Sequence, residues 1–146
     1  MKSKLIKSDY GFTLVELMTV MAIIGILATA IMVSLSAQKK RAEGNKALLE
    51  LSDVMNKIYL CKSDDGTVNN PSDGGDICSL GAEYGFWPNL NYLGSGWSYG
   101  GGTNLDTSSW FYSAFKDGVG VVCCNSKYTK CNLLDSGSCS KSTVLK

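Results

Sequence analysis

An uninterrupted apolar segment near the N-terminus constrains this chain more than any other feature. From Leu17 to Gln38 the sequence has 22 positions without a charged residue or a proline. As a helix these residues would extend roughly 33 Å, which matches a hydrocarbon core of about 30 Å. The segment therefore predicts one membrane-spanning helix. The three lysines in residues 1–11 place its N-terminus in the cytoplasm.

Glu16 does not fit a plain membrane anchor. A carboxylate in an apolar run is costly unless it is paired or lies near the membrane interface. Glu16 is therefore either tolerated at the level of the headgroups or awaits a positive partner from another subunit. A secretory signal peptide cleaved after Ala30, in Ala28-Thr29-Ala30, is an alternative interpretation. The apolar pattern continues past that point, which argues against it.

The string GFTLVE at residues 11–16, behind a basic leader and ahead of the apolar run, resembles the class III signal of type IV prepilins and pseudopilins. The resemblance implies that a prepilin peptidase cuts after Gly11, releasing a leader of residues 1–11, and methylates Phe12. It also implies that Glu16 of an incoming subunit pairs with the Phe12 amine of a neighbour. Two charges that are costly separately in lipid would then compensate each other and set the register of a helical filament.

The resemblance further implies where the protein acts and with what partners. The precursor would lie in the inner membrane, in contact with lipid, and an assembly platform with its ATPase would build it into an extracellular type IV pilus. A pseudopilin of a type II secretion or DNA-uptake filament is one alternative, and an anchored binding domain that does not polymerise is another. Many family members have a proline within this helix, but this chain has none before Pro71. Gly25 is therefore the candidate point of helix flexibility.

Helical periodicity continues beyond the apolar segment. Apolar residues recur at spacings of three and four and predict one buried stripe, formed by Ala47, Leu48, Leu51, Val54, Met55 and Ile58. We predict one helix from Phe12 to Leu60, with residues 12–38 for the membrane and polymerisation and residues 39–60 amphipathic. The basic run at residues 39–41 is either a site for anionic headgroups or a solvated collar.

Residues 61–146 predict an exported, β-rich head domain, so the expected fold class is α+β. Two strands, Ser109–Phe115 and Gly118–Cys124, form an antiparallel hairpin, and a third short strand lies around residues 127–133. Residues 94–102 are predicted to form a flexible loop that carries aromatic side chains. The aromatic residues suit a sheet packed on the helix. Trp87, Trp97 and the tyrosines could instead be exposed contacts for a surface or nucleic acid.

All six cysteines lie in this second part, which indicates disulfides formed in an oxidising compartment: Cys61, Cys78, Cys123, Cys124, Cys131 and Cys139. A disulfide between Cys61 and Cys78 would close a turn-rich loop. The adjacent pair Cys123 and Cys124 would each take a separate partner, Cys131 and Cys139 in some order. A zinc site formed by these last four is the alternative, but no CxxC spacing supports it.

The composition and motifs do not indicate an enzyme. The chain has no histidine, and it lacks a phosphate-binding loop, a nucleophile motif and a CxxC pair. No cofactor is expected. Four aspartates in the first head loop could bind calcium, although their spacing does not match an EF-hand: Asp64, Asp65, Asp73 and Asp76. The expected role is structural.

Overall fold

A computed structural model describes residues 11–102 and 105–145 of the chain. Its elements are a long helix, α1 (Leu14–Ser63), two short 3-10 helices (Ala82–Tyr84 and Leu90–Leu93) and four strands, β1 (Ser98–Tyr99), β2 (Phe111–Lys116), β3 (Gly120–Asn125) and β4 (Lys130–Leu134). The chain forms two compact units, the first ending at Ala37 and the second beginning at Gln38. This architecture confirms the α+β class. Apart from Gly11, the predicted leader lies outside the described residues.

Helix α1 begins two residues later and ends three residues later than predicted. At its C-terminus the N–H of Gly66 donates to the carbonyl of Cys61 at 2.9 Å. Asp65 adopts the left-handed conformation, with φ of 58°, which a short polar side chain tolerates. These contacts satisfy helix-end carbonyls that would otherwise lack a partner.

The four strands form one antiparallel sheet in the order β1-β2-β3-β4. The predicted hairpin is β2–β3, shifted by one or two residues, and its turn contains Gly118 with φ of 71°. The third predicted strand is β4. Strand β1 is a correction, because it lies in the segment expected to be a flexible loop. It pairs with β2, with Ser98 opposite Phe115, and the adjacent Trp97 is buried.

The core of the second unit lies between α1 and one face of the sheet. The predicted stripe is its helical side, since Ala47, Leu51, Val54, Met55 and Ile58 are buried and Leu48 is partly buried. Tyr112 of β2 contacts the helix directly, and its Oη donates to the carbonyl of Leu51 at 2.7 Å. Trp87 packs edge-on against Tyr112 with ring centroids 5.3 Å apart. Trp87 and Trp97 are both buried, so the alternative in which they are exposed contacts is wrong.

Gly44 lies where α1 and the sheet region approach each other closely. A Cβ at this position would lie 2.6 Å from Cδ2 of Leu133 and 3.4 Å from Cγ1 of Val119. The partly buried side chains of Val119 and Leu133 pack against the core. A side chain at position 44 would therefore require Leu133 to shift, whereas the backbone conformation of Gly44 sets no such constraint. Sequence periodicity did not reveal this contact.

Candidate functional site

The start of α1 is a reciprocal cap formed by Thr13 and Glu16. The backbone N–H and the hydroxyl of Thr13 both donate to Oε2 of Glu16 at 2.9 Å, and the N–H of Glu16 donates to Oγ1 of Thr13 at 3.2 Å. This is the capping-box arrangement, in which two unpaired helix-end donors are satisfied at once. In this single chain the Glu16 carboxylate is thus held by its own helix end. The T-x-x-E spacing is visible in the sequence, but our sequence analysis did not use it.

The predicted processing junction lies just ahead of this cap. Gly11 and Phe12 precede α1, and the side chain of Phe12 is 88% exposed. No heavy atom lies within 4 Å of the position that a Cβ at Gly11 would occupy. The junction is therefore non-helical and open to another protein.

The first part of α1 has no packing partner among the described residues. The described side chains of residues 11–32 are all exposed, although most of them are apolar. The hydroxyls of Thr19 and Thr29 donate to the carbonyls of Glu16 and Ile26 within the helix, so these polar groups need no water. The segment is long and apolar enough to cross a membrane. An apolar surface of this extent needs lipid or other helices around it.

Helix α1 continues through Gly25 without interruption, and a Cβ there would contact nothing within 4 Å. Gly25 is thus not required by close packing within this chain. A helix-interior glycine costs about 1 kcal/mol relative to alanine. This cost is compatible with a role in flexibility, which stays a prediction.

The first unit resembles known proteins in the same region that holds the cap. A family model described as the prokaryotic N-terminal methylation motif matches residues 6–32. The type II secretion system core protein G of Vibrio cholerae is 31% identical over 71 residues, covering 49% of this chain and 49% of the relative. That of Aeromonas hydrophila is 33% identical over 66 residues, covering 45% and 46%. Residues 6–32 of the chain therefore carry the prokaryotic N-terminal methylation motif.

A third relative, the type II secretion system core protein G of Escherichia coli, is 37% identical over 54 residues, covering 37% of each chain. The chain spans about half the length, or less, of the curated relatives it matches. No solved structure matches it.

Three disulfides cross-link the second unit. Cys61 bonds to Cys78, as predicted, and the adjacent cysteines take separate partners, in the pairs Cys123–Cys139 and Cys124–Cys131. Cys61, Cys78, Cys123 and Cys124 are all buried. The four cysteines of the zinc alternative are consumed by these bonds, which contradicts that alternative.

The four head-loop aspartates are not assembled into a metal site. Asp64 accepts a hydrogen bond from Tyr84 Oη at 2.7 Å, which raises the pKa of Tyr84 to about 12. Asp73 accepts the N–H of Leu90 at 3.0 Å. Over residues 11–102 and 105–145 there is no group of three or more potential ligands that could hold a metal ion. The calcium alternative therefore has no support from the geometry of these residues.

One ion pair ties α1 to the sheet. Lys116 Nζ lies 2.5 Å from Oε2 of Glu43, and both side chains are less than one fifth exposed. The hydrogen bond from Lys116 holds the pKa of Glu43 below its usual value. The basic run at residues 39–41 is exposed. Its side chains are thus accessible to anionic lipid headgroups, and their exposure is equally compatible with a solvated collar.

Proposed function

We propose that this protein is a structural subunit of a type IV filament and assembles through the first part of α1. The proposal rests on one coincidence. The methylation motif matches residues 6–32, and the described residues of this range have exposed, mostly apolar side chains with Glu16 as their one carboxylate. Prepilin peptidase would cleave between Gly11 and Phe12, and the new Phe12 would be methylated. A membrane-bound precursor follows, with its N-terminus in the cytoplasm.

The proposed assembly step exchanges one partner of Glu16 for another. In the single chain the carboxylate accepts from Thr13. In the filament the charged amine of Phe12 from a neighbouring subunit would approach it, and a charge-assisted bond is stronger than a neutral one. The role needs no catalytic group in this chain. An assembly platform and an ATPase would be its partners, and Gly25 would be the point at which the helix adjusts.

The first experiment determines the N-terminal residue and the mass of the protein purified from cells. We expect a chain that begins at Phe12 with one added methyl group. A chain that begins at Ile31 would indicate a plain signal peptide. An intact Met1, in a host that has the peptidase, would contradict prepilin processing.

A second experiment separates charge pairing from helix capping at Glu16. Glu16→Gln keeps a side chain that can complete a capping box but removes the charge, whereas Glu16→Ala removes both. We expect both variants to remain processed and membrane-bound and to form no filaments by electron microscopy. The matched control is Glu50→Gln, an exposed carboxylate of α1 in the second unit. If Glu16→Gln forms normal filaments, the side chain at position 16 acts only as a helix cap, and the proposed pairing with the Phe12 amine is refuted.

Two kinds of filament remain candidates, and a different observation favours each. Three disulfides in a small exported unit suit an extracellular pilus that must resist shear. The similarity to type II secretion system core protein G favours a secretion pseudopilus. We favour the pilus. Filaments recovered by shearing wild-type cells would support it, whereas loss of protein secretion in a deletion strain without surface filaments would favour the pseudopilus.

A further inference from the structure

The outer face of the sheet carries a groove that no part of the proposed function uses. Because Tyr112 points towards α1 and side chains alternate along a strand, Phe111, Ser113 and Phe115 face away from the helix. With Val121 they line a groove of about 470 Å³. This volume lies within the range of about 300–1,000 Å³ that is typical of ligand sites.

The two walls of the groove are held in place by specific bonds. One wall is the main chain of Gly100 and Gly101, fixed where the N–H of Gly100 donates to the carbonyl of Ser113 at 2.8 Å. The other wall is residues 137–139, fixed by the Cys123–Cys139 disulfide. The groove is therefore preformed, and its occupant would not need to order its walls.

The chemistry of the groove specifies the kind of side chain that it can bind. Phe111, Phe115 and Val121 give it an apolar floor, and Asp117 adds one exposed carboxylate. An aromatic ring would bury its area against the two phenyl groups. A nearby cation would complement Asp117. The groove thus fits an aromatic residue that is accompanied by a lysine or an arginine.

This chain carries such a pair elsewhere on its second unit. Tyr92 is the most exposed of the described aromatic residues beyond the first unit, at 79%. It is held on a short 3-10 helix whose first turn is capped by Asn89, and Lys46 Nζ donates to the carbonyl of Tyr92 at 2.6 Å. An exposed ring and an ammonium group are therefore presented side by side. Because Lys46 belongs to α1, the pair and the groove are on opposite sides of the sheet.

We propose that the groove of one subunit binds Tyr92 of a second copy of this chain, with Lys46 of that copy facing Asp117. A projection and a groove at different places on one molecule make a head-to-tail contact that repeats along an open filament. The inference rests on the proposed function, because filament assembly would bring the second units of neighbouring copies together. It adds a second interface that uses the head domain.

The first test replaces Tyr92 with the photo-cross-linking residue benzoylphenylalanine in the full chain, which is then assembled and irradiated. The expected product is a dimer whose linked peptides join position 92 to residues 111–121. The same residue at Leu49, an exposed position on α1, is the matched control and should not label that peptide. Filaments in which position 92 labels other peptides would overturn the groove assignment.

The second test exchanges the proposed charges in the chain that carries the cross-linker. Lys46→Glu and Asp117→Lys should each lower the cross-linked fraction about fivefold, and the double variant should restore it. Both positions are exposed, and an unchanged melting temperature will show that the fold is retained. Failure of the double variant to recover would overturn the pairing. If the processed wild-type chain forms no filaments at all, the proposed function itself fails, which is a separate result.

Discussion

The Cys61–Cys78 disulfide makes the clearest quantitative prediction for the stability of the second unit. It joins the last turns of α1 to the loop that follows, across a sequence separation of 17 residues. In the chain-entropy model, removing a loop closure of this size costs about 3 kcal/mol. We therefore expect Cys61→Ala/Cys78→Ala to lower the free energy of unfolding by about 3 kcal/mol, and the melting temperature by roughly 12 °C.

The assay is guanidinium unfolding of the full chain in detergent, followed by tryptophan fluorescence. The three tryptophans, Trp87, Trp97 and Trp110, all belong to the second unit and are buried in it. The signal therefore reports unfolding of this unit and not of the first unit. Both cysteines are replaced together so that no lone thiol remains to exchange with the other disulfides.

A loss below about 1 kcal/mol would refute the reasoning. It would mean that other contacts restrain the loop even in the unfolded chain, or that strain in the native bond cancels the entropy. The Cys124–Cys131 bond closes a separation of only 7 residues, for which the same model gives about 2 kcal/mol. The corresponding double alanine variant is the comparison that tests the dependence on loop length.

Three further predictions concern contacts between α1 and the sheet. Gly44→Ala should lower the free energy of unfolding of the second unit by about 1 kcal/mol, because overpacking against Leu133 outweighs the gain in helix propensity. The additional change Leu133→Val should recover part of this loss in the same unfolding assay. Glu43→Gln should cost about 1 kcal/mol at neutral pH. Because the pKa of Glu43 is lowered in the folded state, this contribution is present above the unfolded pKa of about 4.3 and is lost as the pH falls through the folded pKa. The two proteins should therefore converge in stability as the pH falls through the folded pKa of Glu43, and a constant difference would contradict the ion pair. Tyr112→Phe should lose about 1 kcal/mol by removing the hydrogen bond to Leu51, and no loss by chemical denaturation would show that this bond has no net value.

The helix and the hairpin were predictable because their signals are local. The apolar run and the stripe of Leu51, Val54 and Ile58 follow from helical periodicity, which depends only on residues three and four apart. The β2–β3 hairpin follows from two β-prone runs that flank a turn ending in glycine. Both elements appear in the structure within a few residues of their expected bounds.

Strand β1 was missed because its cause is not local. Ser98 and Tyr99 lie among glycines, and their own propensity gives little indication of a strand. They become a strand because β2 offers them a free edge and because Trp97 is buried beside them. Tertiary context overrides propensity in short segments of this kind.

The candidate site likewise has one part that was predictable from local sequence and another part that depends on tertiary contacts. The sequence by itself determined the apolar segment, the Gly11–Phe12 junction and the lone carboxylate of Glu16, because each is a property of consecutive residues. It also indicated that the six cysteines would pair, since an even number of them is confined to residues 61–139. Only the tertiary structure decided which of Cys131 and Cys139 bonds to Cys123, why Gly44 has no side chain, and that a groove lies across the sheet from Tyr92. These features depend on residues brought together from distant parts of the chain, and local periodicity carries no information about such contacts.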